Sequence, residues 1–251
     1  MDELTNIFKK KIHINAFDCD VNLRLKPSAF FQQLTEAAGE HADQLGCGFE
    51  TMYSRNLLWV HSRMKIKFLR FPTVGEVVHI TTWPKTIQQK LFFVRDYVIH
   101  AEDGEQLAKA SSAWLVIDAT ARRMVPPKTA GLDLPSMTEE VALNEPLERL
   151  SVPEDSEERL TFRAGYSAVD MLGHVNNSRY VEWICDTFPI GMHRENSLDW
   201  MQINYDKEVL PGEDVSVSSK SSLENPSLWF IRGDNCTNGT RAFEAVVKWK
   251  E

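Results

Sequence analysis

The chain has few cysteines, no long apolar run and no excess of positive charge, and each shortage excludes a class of protein. Its four cysteines are scattered without a C-x-x-C pair, which argues against a zinc site and favours free thiols in a reducing compartment. No apolar run approaches the ~20 residues of a membrane span, and the first residues lack the basic and apolar regions of a signal peptide. The net charge of −8 argues against nonspecific binding to nucleic acid. We therefore expect a cytoplasmic globular protein.

The first half of the chain predicts one long helix followed by an antiparallel sheet. Apolar side chains recur at helical spacing from Phe30 to Leu45, and Gly46 ends the pattern. Strand patterns then follow from Leu57 to Asp118, with a hairpin turn at residues 102–105. This is an α+β pattern, in which we expect the sheet to curl around the helix. The proline-rich, acidic stretch after it predicts a crossover with a short helix near residues 139–150.

The second half repeats the first, which indicates an internal duplication. The corresponding pairs are Asp20 and Asp170, Arg24 and His174, residues 64–68 and 201–205, and residues 93–104 and 230–239. Because these correspondences occur in the same order, we predict two copies of one strand–helix–sheet unit. The predicted boundaries are 1–125 for the N-terminal unit, 126–160 for the crossover and 161–251 for the C-terminal unit.

At the motif positions, only the second copy offers a group that titrates near neutral pH. Asp170 and His174 lie four residues apart, where a strand-like run reaches the helix-capping residue Asn176. Such a helix start presents backbone N–H groups that suit a developing oxyanion. Taken alone, the same residues fit a solvated surface turn equally well. The first copy carries Arg24 in the place of His174, so we expect one half to bind and the other to react.

Three motifs resemble the acyl–acyl carrier protein thioesterases of plants and bacteria, which are built as a tandem of two hotdog folds. They are D-x-x-G-H-V-N-N at residues 170–177, I-N-Y-D-K-E at residues 203–208, and R-D-Y, A-S-S-A-W and R-R within residues 95–123. Together they run over most of the chain. The resemblance implies a duplicated hotdog fold and hydrolysis of the thioester of acyl–acyl carrier protein in fatty acid biosynthesis, without metal or cofactor.

Carried over by position, the resemblance implies that Asp170, His174 and Glu208 are catalytic. Glu208 or His174 would act as general base on a water molecule, and Asp170 would orient the imidazole or bind that water. The sequence departs from the family at Leu172, where many members have Asn. It also departs at Val209, where plant members have Cys, so a cysteine nucleophile at that position is excluded.

Two sets of residues are predicted to bind substrate. Backbone N–H groups of Val175, Asn176 and Asn177 would polarise the acyl carbonyl at the helix start. Apolar residues of the first copy would form the acyl pocket: Phe30, Phe31, Leu34, Leu57, Leu58 and Trp59.

The predicted partner is acyl carrier protein, an acidic protein whose docking on this acidic chain requires a local basic face. The candidates for that face are Lys9, Lys10, Lys11, Arg63, Lys65, Lys67, Arg122 and Arg123. A homodimer is also compatible with the sequence. Two alternatives stay open: the same hydrolysis on acyl-CoA, and a non-catalytic acyl-binding module whose site has decayed.

Overall fold

The computed structural model describes residues 6–250, and a single antiparallel sheet of eleven strands forms its framework. The first half supplies β1 (Phe8–His13), β2 (Leu57–Phe68), β3 (Val77–Gln88), β4 (Phe92–Ala101), β5 (Gln106–Asp118) and β6 (Met124–Val125). The second half supplies β7 (Glu157–Arg163), β8 (Leu198–Tyr205), β9 (Asp214–Ser221), β10 (Leu228–Asn235) and β11 (Arg241–Trp249). The helices are α1 (Pro27–Gln44), α2 (Phe49–Ser54), α3 (Pro127–Ala130), α4 (Asn177–Asp186) and α5 (Ile190–Glu195).

The strand order confirms the predicted duplication. It runs β1-β3-β4-β5-β2 in the first half and β8-β11-β10-β9-β7 in the second, with β6 beside β5. Read from its own outer edge, each half therefore has the same order. The halves join where β2 pairs with β8, in a register that sets Arg63 opposite Asn204. Equivalent strands of the two copies thus meet at the centre of the sheet.

The long helix α1 forms where the sequence predicts it. Pro27 occupies its first turn, where a missing N–H costs no helical hydrogen bond. Gly46 follows the helix with φ +70°, a left-handed conformation that favours glycine at a helix end. Phe30 of α1 packs edge to face on Phe68 of β2. In the second copy Tyr180 of α4 packs against Phe243 of β11 with tilted rings, at 5.2 Å between ring centroids. The two helices therefore cover one face of the shared sheet and bury the core between them.

The crossover between the halves lies on the opposite face of the sheet. Asp96 of β4 is buried and accepts the N–H of Ala142 at 2.8 Å. Lys85 of β3 donates to the carbonyl of Leu143 at 2.8 Å. Gln202 of β8 donates to the carbonyl of Glu148 at 2.9 Å. The predicted helix near residues 139–150 is wrong: the segment contains no helix, and several of its backbone groups bond to side chains of the sheet.

No helix between residues 6 and 250 combines the length and the apolar character that crossing a membrane requires.

Candidate active site

The loop before α4 is shaped by Asp170. Its Oδ1 accepts the backbone N–H of Leu172 at 2.9 Å and that of His174 at 3.4 Å. The N–H of Asp170 in turn donates to the carbonyl of His174 at 2.8 Å. Gly173 between them has φ +80°, which only glycine adopts without strain. Asp170 thereby holds the backbone that presents the His174 side chain.

The first copy builds the same loop with different chemistry. Asp20 accepts the N–H groups of Asn22 at 2.8 Å and Arg24 at 3.0 Å. The Arg24 guanidinium then lies over the ring of Phe71, with 5.9 Å from its central carbon to the ring centroid. It also donates to the carbonyl of His193 at 2.6 Å. A guanidinium over an aromatic ring thus occupies the place where the second copy has an imidazole and a carboxylate.

The second copy brings His174 and Glu208 together. Nε2 of His174 lies 3.2 Å from Oε2 of Glu208, which follows strand β8. Arg122, from the turn after β5 in the first half, pairs with the same Oε2. Because both contacts engage Oε2, Oε1 is left for a water or a substrate. The imidazole–carboxylate pair is therefore completed by a cation from the other half.

The turn that carries Arg122 is held by Asp118, whose carboxylate accepts the N–H of Ala121 at 2.6 Å. This hydrogen bond lowers the pKa of Asp118 below its usual range. Arg122 itself has φ +54°, a left-handed conformation that is unfavourable for a residue with a Cβ. Sequence reasoning placed Arg122 among the docking residues and missed its contact with Glu208. Its position depends on a turn and a pairing between halves, which no local pattern displays.

The predicted carbonyl-polarising groups need correction. The N–H of Val175 donates to the carbonyl of Val209 at 2.9 Å, and that of Asn176 donates to the carbonyl of Ala168 at 2.8 Å. Neither can polarise a substrate without breaking a backbone hydrogen bond. The Asn176 side chain caps α4 by accepting the N–H of Ser178 at 2.9 Å. Of the three predicted residues, Asn177 at the first helical position remains a candidate donor.

His174, Glu208, Asp170, Arg122 and Asn177 line one cavity of about 690 Å³. We call it the catalytic cavity. It lies between the loop before α4, the end of β8 and the turns of the first half. All three predicted catalytic side chains and the remaining oxyanion candidate, Asn177, therefore border one space that a thioester can enter.

One wall of the catalytic cavity is polar and buried. His61 is 5% exposed, its ring stacks on Trp114 with 4.2 Å between centroids, and burial lowers its pKa to about 3. Among the described residues neither ring nitrogen of His61 has a hydrogen-bond partner, nor has the hydroxyl of Tyr205. Burial raises the pKa of Tyr205, so its phenol stays protonated. Sequence reasoning missed this wall, because alternation along β2 does not show where the strand meets β8.

A second cavity, of about 650 Å³, lies between α1, α2 and strands β2 to β4. We call it the acyl cavity because most of its lining is apolar: Ala38, Ala42, Met52, Leu58, Trp59 and Phe93. Phe49, Leu58, Trp59 and Leu172 line both cavities. These four side chains therefore stand at the junction between the acyl cavity and the catalytic cavity.

Four of the residues predicted for the acyl pocket line neither cavity. Phe30, Phe31 and Leu34 are buried in the core beneath α1, and Leu57 is buried beside Cys47 and Met52. The large side chains of α1 fill the space against the sheet. The acyl cavity instead meets small residues of the same helix, which leave room for a ligand. Leu58 and Trp59 do line the cavity, as the sequence predicts.

Most of the basic residues predicted for docking make contacts within the chain. Besides Arg122, which pairs with Glu208, these are Lys10 with Glu40 at 2.6 Å, Lys11 with Glu102 at 2.9 Å, Lys65 with Glu145 at 3.6 Å, and Arg63 with the carbonyl of Leu147 at 2.6 Å. They are also spread over β1 at one sheet edge and β2 at its centre. The expected contiguous basic face is therefore absent from this set in the described part of the chain. Lys9, Lys67 and Arg123 stay as predicted docking residues.

Two helix-and-sheet units fused through their equivalent strands, with one polar site at their junction, define a tandem hotdog protein. Residues 5–128 match the acyl-ACP thioesterase N-terminal domain, and residues 151–251 match the acyl-ACP thioesterase C-terminal domain. The chain belongs to the acyl-ACP thioesterase family.

Individual relatives agree with this assignment. The chain is 27% identical to an acyl-ACP thioesterase from Bacteroides thetaiotaomicron, whose crystal structure matches with a TM-score of 0.88 over 100% of both chains. It is 28% identical to the chloroplastic palmitoyl-acyl carrier protein thioesterase of Arabidopsis thaliana, over 86% of this chain and 55% of that protein. The oleoyl-acyl carrier protein thioesterase of Coriandrum sativum is 27% identical, over 91% of this chain and 66% of that protein. The chain thus spans between about half and two thirds of the length of these plant relatives.

Proposed function

We propose that the protein hydrolyses the thioester of acyl–acyl carrier protein and releases a free fatty acid. The observation that carries the proposal is the contact of His174 with Glu208, at 3.2 Å, in a cavity that adjoins the apolar acyl cavity. A thioesterase needs a site that activates water beside a space that holds an acyl chain. Family membership supports the same reaction, since relatives are named for palmitoyl- and oleoyl-acyl carrier protein.

In the proposed mechanism His174 takes a proton from the attacking water. When Nε2–H of His174 donates to Glu208, the neutral imidazole carries its lone pair on Nδ1, which can accept that proton. The Glu208 carboxylate fixes the tautomer and stabilises the imidazolium that forms. When the C–S bond then breaks, the imidazolium gives this proton to the departing thiolate of the carrier. Arg122 holds the carboxylate in place through Oε2. Asp170 acts on the loop backbone, so its contribution is to position His174.

The acyl carbonyl is proposed to face the start of α4. Asn177 lines the catalytic cavity at this point and is the first residue of the helix. The developing oxyanion is stabilised there by the N–H groups and the partial positive charge of the helix end. The acyl chain passes Leu172 and Trp59 into the acyl cavity, which both side chains line. In this proposal the N-terminal unit binds the chain and the C-terminal unit carries the reacting groups.

The experiment that tests the proposal compares one acyl chain on two carriers. Acyl–acyl carrier proteins of several chain lengths, and the matching acyl-CoA thioesters, are incubated with the enzyme, and the released acids are identified by mass. The proposal expects release from acyl carrier protein with a higher kcat/KM than from CoA. An equal or higher kcat/KM for acyl-CoA would favour the alternative function, an acyl-CoA thioesterase. No turnover of either substrate would favour a non-catalytic acyl-binding module.

The cellular setting of this reaction is also a proposal. All four cysteines are unpaired, which agrees with a reducing cytoplasm. The homodimer stays a prediction, which light scattering of the purified protein would test.

A further inference from the structure

The acyl cavity is lined by two charged residues, the exposed Asp133 and a buried arginine that an apolar ligand does not require. Arg95 of β4 lines this cavity although it is only 8% exposed. Its Nη1 lies 2.8 Å from Nδ1 of His41 on α1, and it donates to the hydroxyl of Thr82 at 3.3 Å. A guanidinium has five N–H donors and no acceptor. These two contacts therefore use only part of its hydrogen-bonding capacity.

Within residues 6–250, Arg95 forms no ion pair with an Asp or a Glu. The adjacent carboxylate, Asp96, points to the other face of the sheet and pairs with Lys85 at 3.0 Å. Besides His41, the titratable groups that act on Arg95 are Tyr97 and Cys47. Burial raises the pKa of both, so both are neutral at neutral pH. A buried cation without a carboxylate partner is unfavourable unless a further acceptor completes its shell.

The sheet register places this cation deep in the acyl cavity. Leu58, at the junction with the catalytic cavity, pairs with Ile117 of β5, whereas Arg95 pairs with Ser112 of the same strand. Five residues along a strand correspond to about 17 Å. An acyl chain that enters past Leu58 would therefore reach Arg95 with its far end.

We propose that Arg95 forms a polar subsite for an oxygen acceptor carried on the acyl chain far from the thioester. The ligand class is an acyl group with a distal hydroxyl or carboxylate, since both present acceptor oxygens to a donor-only guanidinium. A distal ammonium is excluded by like charge. The inference rests on the proposed function, because it assumes that this cavity holds the acyl chain of the substrate.

The test compares acyl chains that differ only at their far end. Saturated acyl–acyl carrier proteins from octanoyl to hexadecanoyl are each matched with the ω-hydroxy and ω-carboxy thioesters of equal length. A charge-assisted hydrogen bond predicts that at one chain length an oxygenated substrate exceeds the plain one by at least about tenfold in kcat/KM. The hydroxyl and carboxyl arms identify which oxygen is preferred. Equal or lower kcat/KM for every oxygenated chain would overturn the proposal.

A pair of variants assigns the preference to the side chain. Arg95→Met keeps an extended side chain without donors, and we expect it to reduce the oxygenated-to-plain ratio to about one while plain chains are still hydrolysed. Arg63→Met is the matched control, because Arg63 contacts Phe92 and the crossover and lines neither cavity. It should keep the wild-type ratio. A preference that survives in a folded Arg95→Met enzyme would also overturn the proposal.

The proposal remains testable in two cases where this comparison of variants fails. If Arg95→Met does not fold, the wild-type comparison of matched chains decides alone. If no thioester is hydrolysed, the proposed function fails, and calorimetry with free dodecanoic acid and ω-hydroxydodecanoic acid tests the subsite separately. Tighter binding of the hydroxy acid supports the subsite, and equal or weaker binding contradicts it.

Discussion

Nε2 of His174 lies 3.2 Å from Oε2 of Glu208, although one residue precedes α4 and the other follows β8. Two segments of the second half converge on this contact. The equivalent segments of the first half converge on Arg24 and Phe71, which lack an acid–base pair. The duplicated fold therefore brings these two loops together in both copies, and the residue types decide whether the junction can react.

Replacing His174 with Ala should lower kcat by ~10²- to 10⁴-fold, the usual contribution of a general acid–base group. The thermal midpoint should change little, because the His174 side chain is partly exposed and the loop is held by backbone contacts of Asp170. Steady-state kinetics and thermal unfolding measure the two quantities. His13→Ala, at an exposed position of β1, is the control and should match the parent in both. A His174→Ala enzyme with parental kcat would contradict the catalytic assignment and would favour the alternative that the motif is a solvated surface turn.

Arg122→Gln separates a role in catalysis from a role in docking. Because Arg122 pairs with Glu208, we expect a fall in kcat of roughly tenfold or more for both acyl–acyl carrier protein and a small thioester. A docking role would instead raise KM for the protein-linked substrate alone. Arg123→Gln is the matched control from the same turn. Unchanged kcat with a raised KM in Arg122→Gln would contradict the assignment.

The acyl cavity predicts how bulk on α1 alters the products. Ala42 lines the cavity, so Ala42→Phe should fill part of it and shift the released acids toward shorter chains. Mass analysis of the products measures the shift. Leu34→Met is the control, because Leu34 lies in the core and the exchange nearly conserves volume. If Leu34→Met changes the profile and Ala42→Phe does not, the cavity assignment is wrong.

The elements were predictable from sequence because their signals are local. Alternation gave the strands, and a helical stripe with Gly46 at its end gave α1. The same stripe could not show which buried positions of α1 meet the sheet and which meet a cavity. Phe30 and Phe31 were therefore placed in the pocket, although they fill the core. Periodicity reports that a side chain is buried, and the size of its neighbours decides whether space remains beside it.

The proposed catalytic residues could be named only through the resemblance, and the residues that contact them could not be named at all. Nothing local to Glu208 distinguishes it from a solvated carboxylate at a strand end. Arg122 and His61 reach the catalytic cavity from the first half, through a turn and through the pairing of β2 with β8. Such contacts depend on tertiary structure, so one sequence without its fold cannot reveal them.

Leu172→Asn tests the departure from the family pattern. The Leu172 side chain is 41% exposed and stands at the junction of the two cavities, while its N–H is fixed by Asp170. We expect activity within about tenfold of the parent, a barrier change of ~1.4 kcal/mol either way, because His174 and Glu208 are unaltered. The measurement is kcat on acyl–acyl carrier protein. Leu23→Asn, in the equivalent loop of the first copy, is the control and should leave kcat unchanged. A loss of more than a hundredfold in Leu172→Asn would show that the apolar junction is required for the reaction.

His61 should make the stability of the protein depend on pH. Its pKa is lowered to about 3 by burial, whereas an unfolded chain has the ordinary histidine value of about 6.5. Between these values the unfolded state binds one more proton, so this contribution to stability is present above about pH 6.5 and is lost as the pH falls toward 3. The slope is at most ~1.4 kcal/mol per pH unit. Denaturant unfolding at several pH values measures this slope.

His61→Phe retains a ring to stack on Trp114, and its stability should fall less steeply in acid than that of the parent. His13→Ala, which removes an exposed histidine, should keep the parental slope. Equal slopes in the parent and His61→Phe would mean that folding does not lower the pKa of His61, and would contradict the assignment of His61 as a buried neutral group.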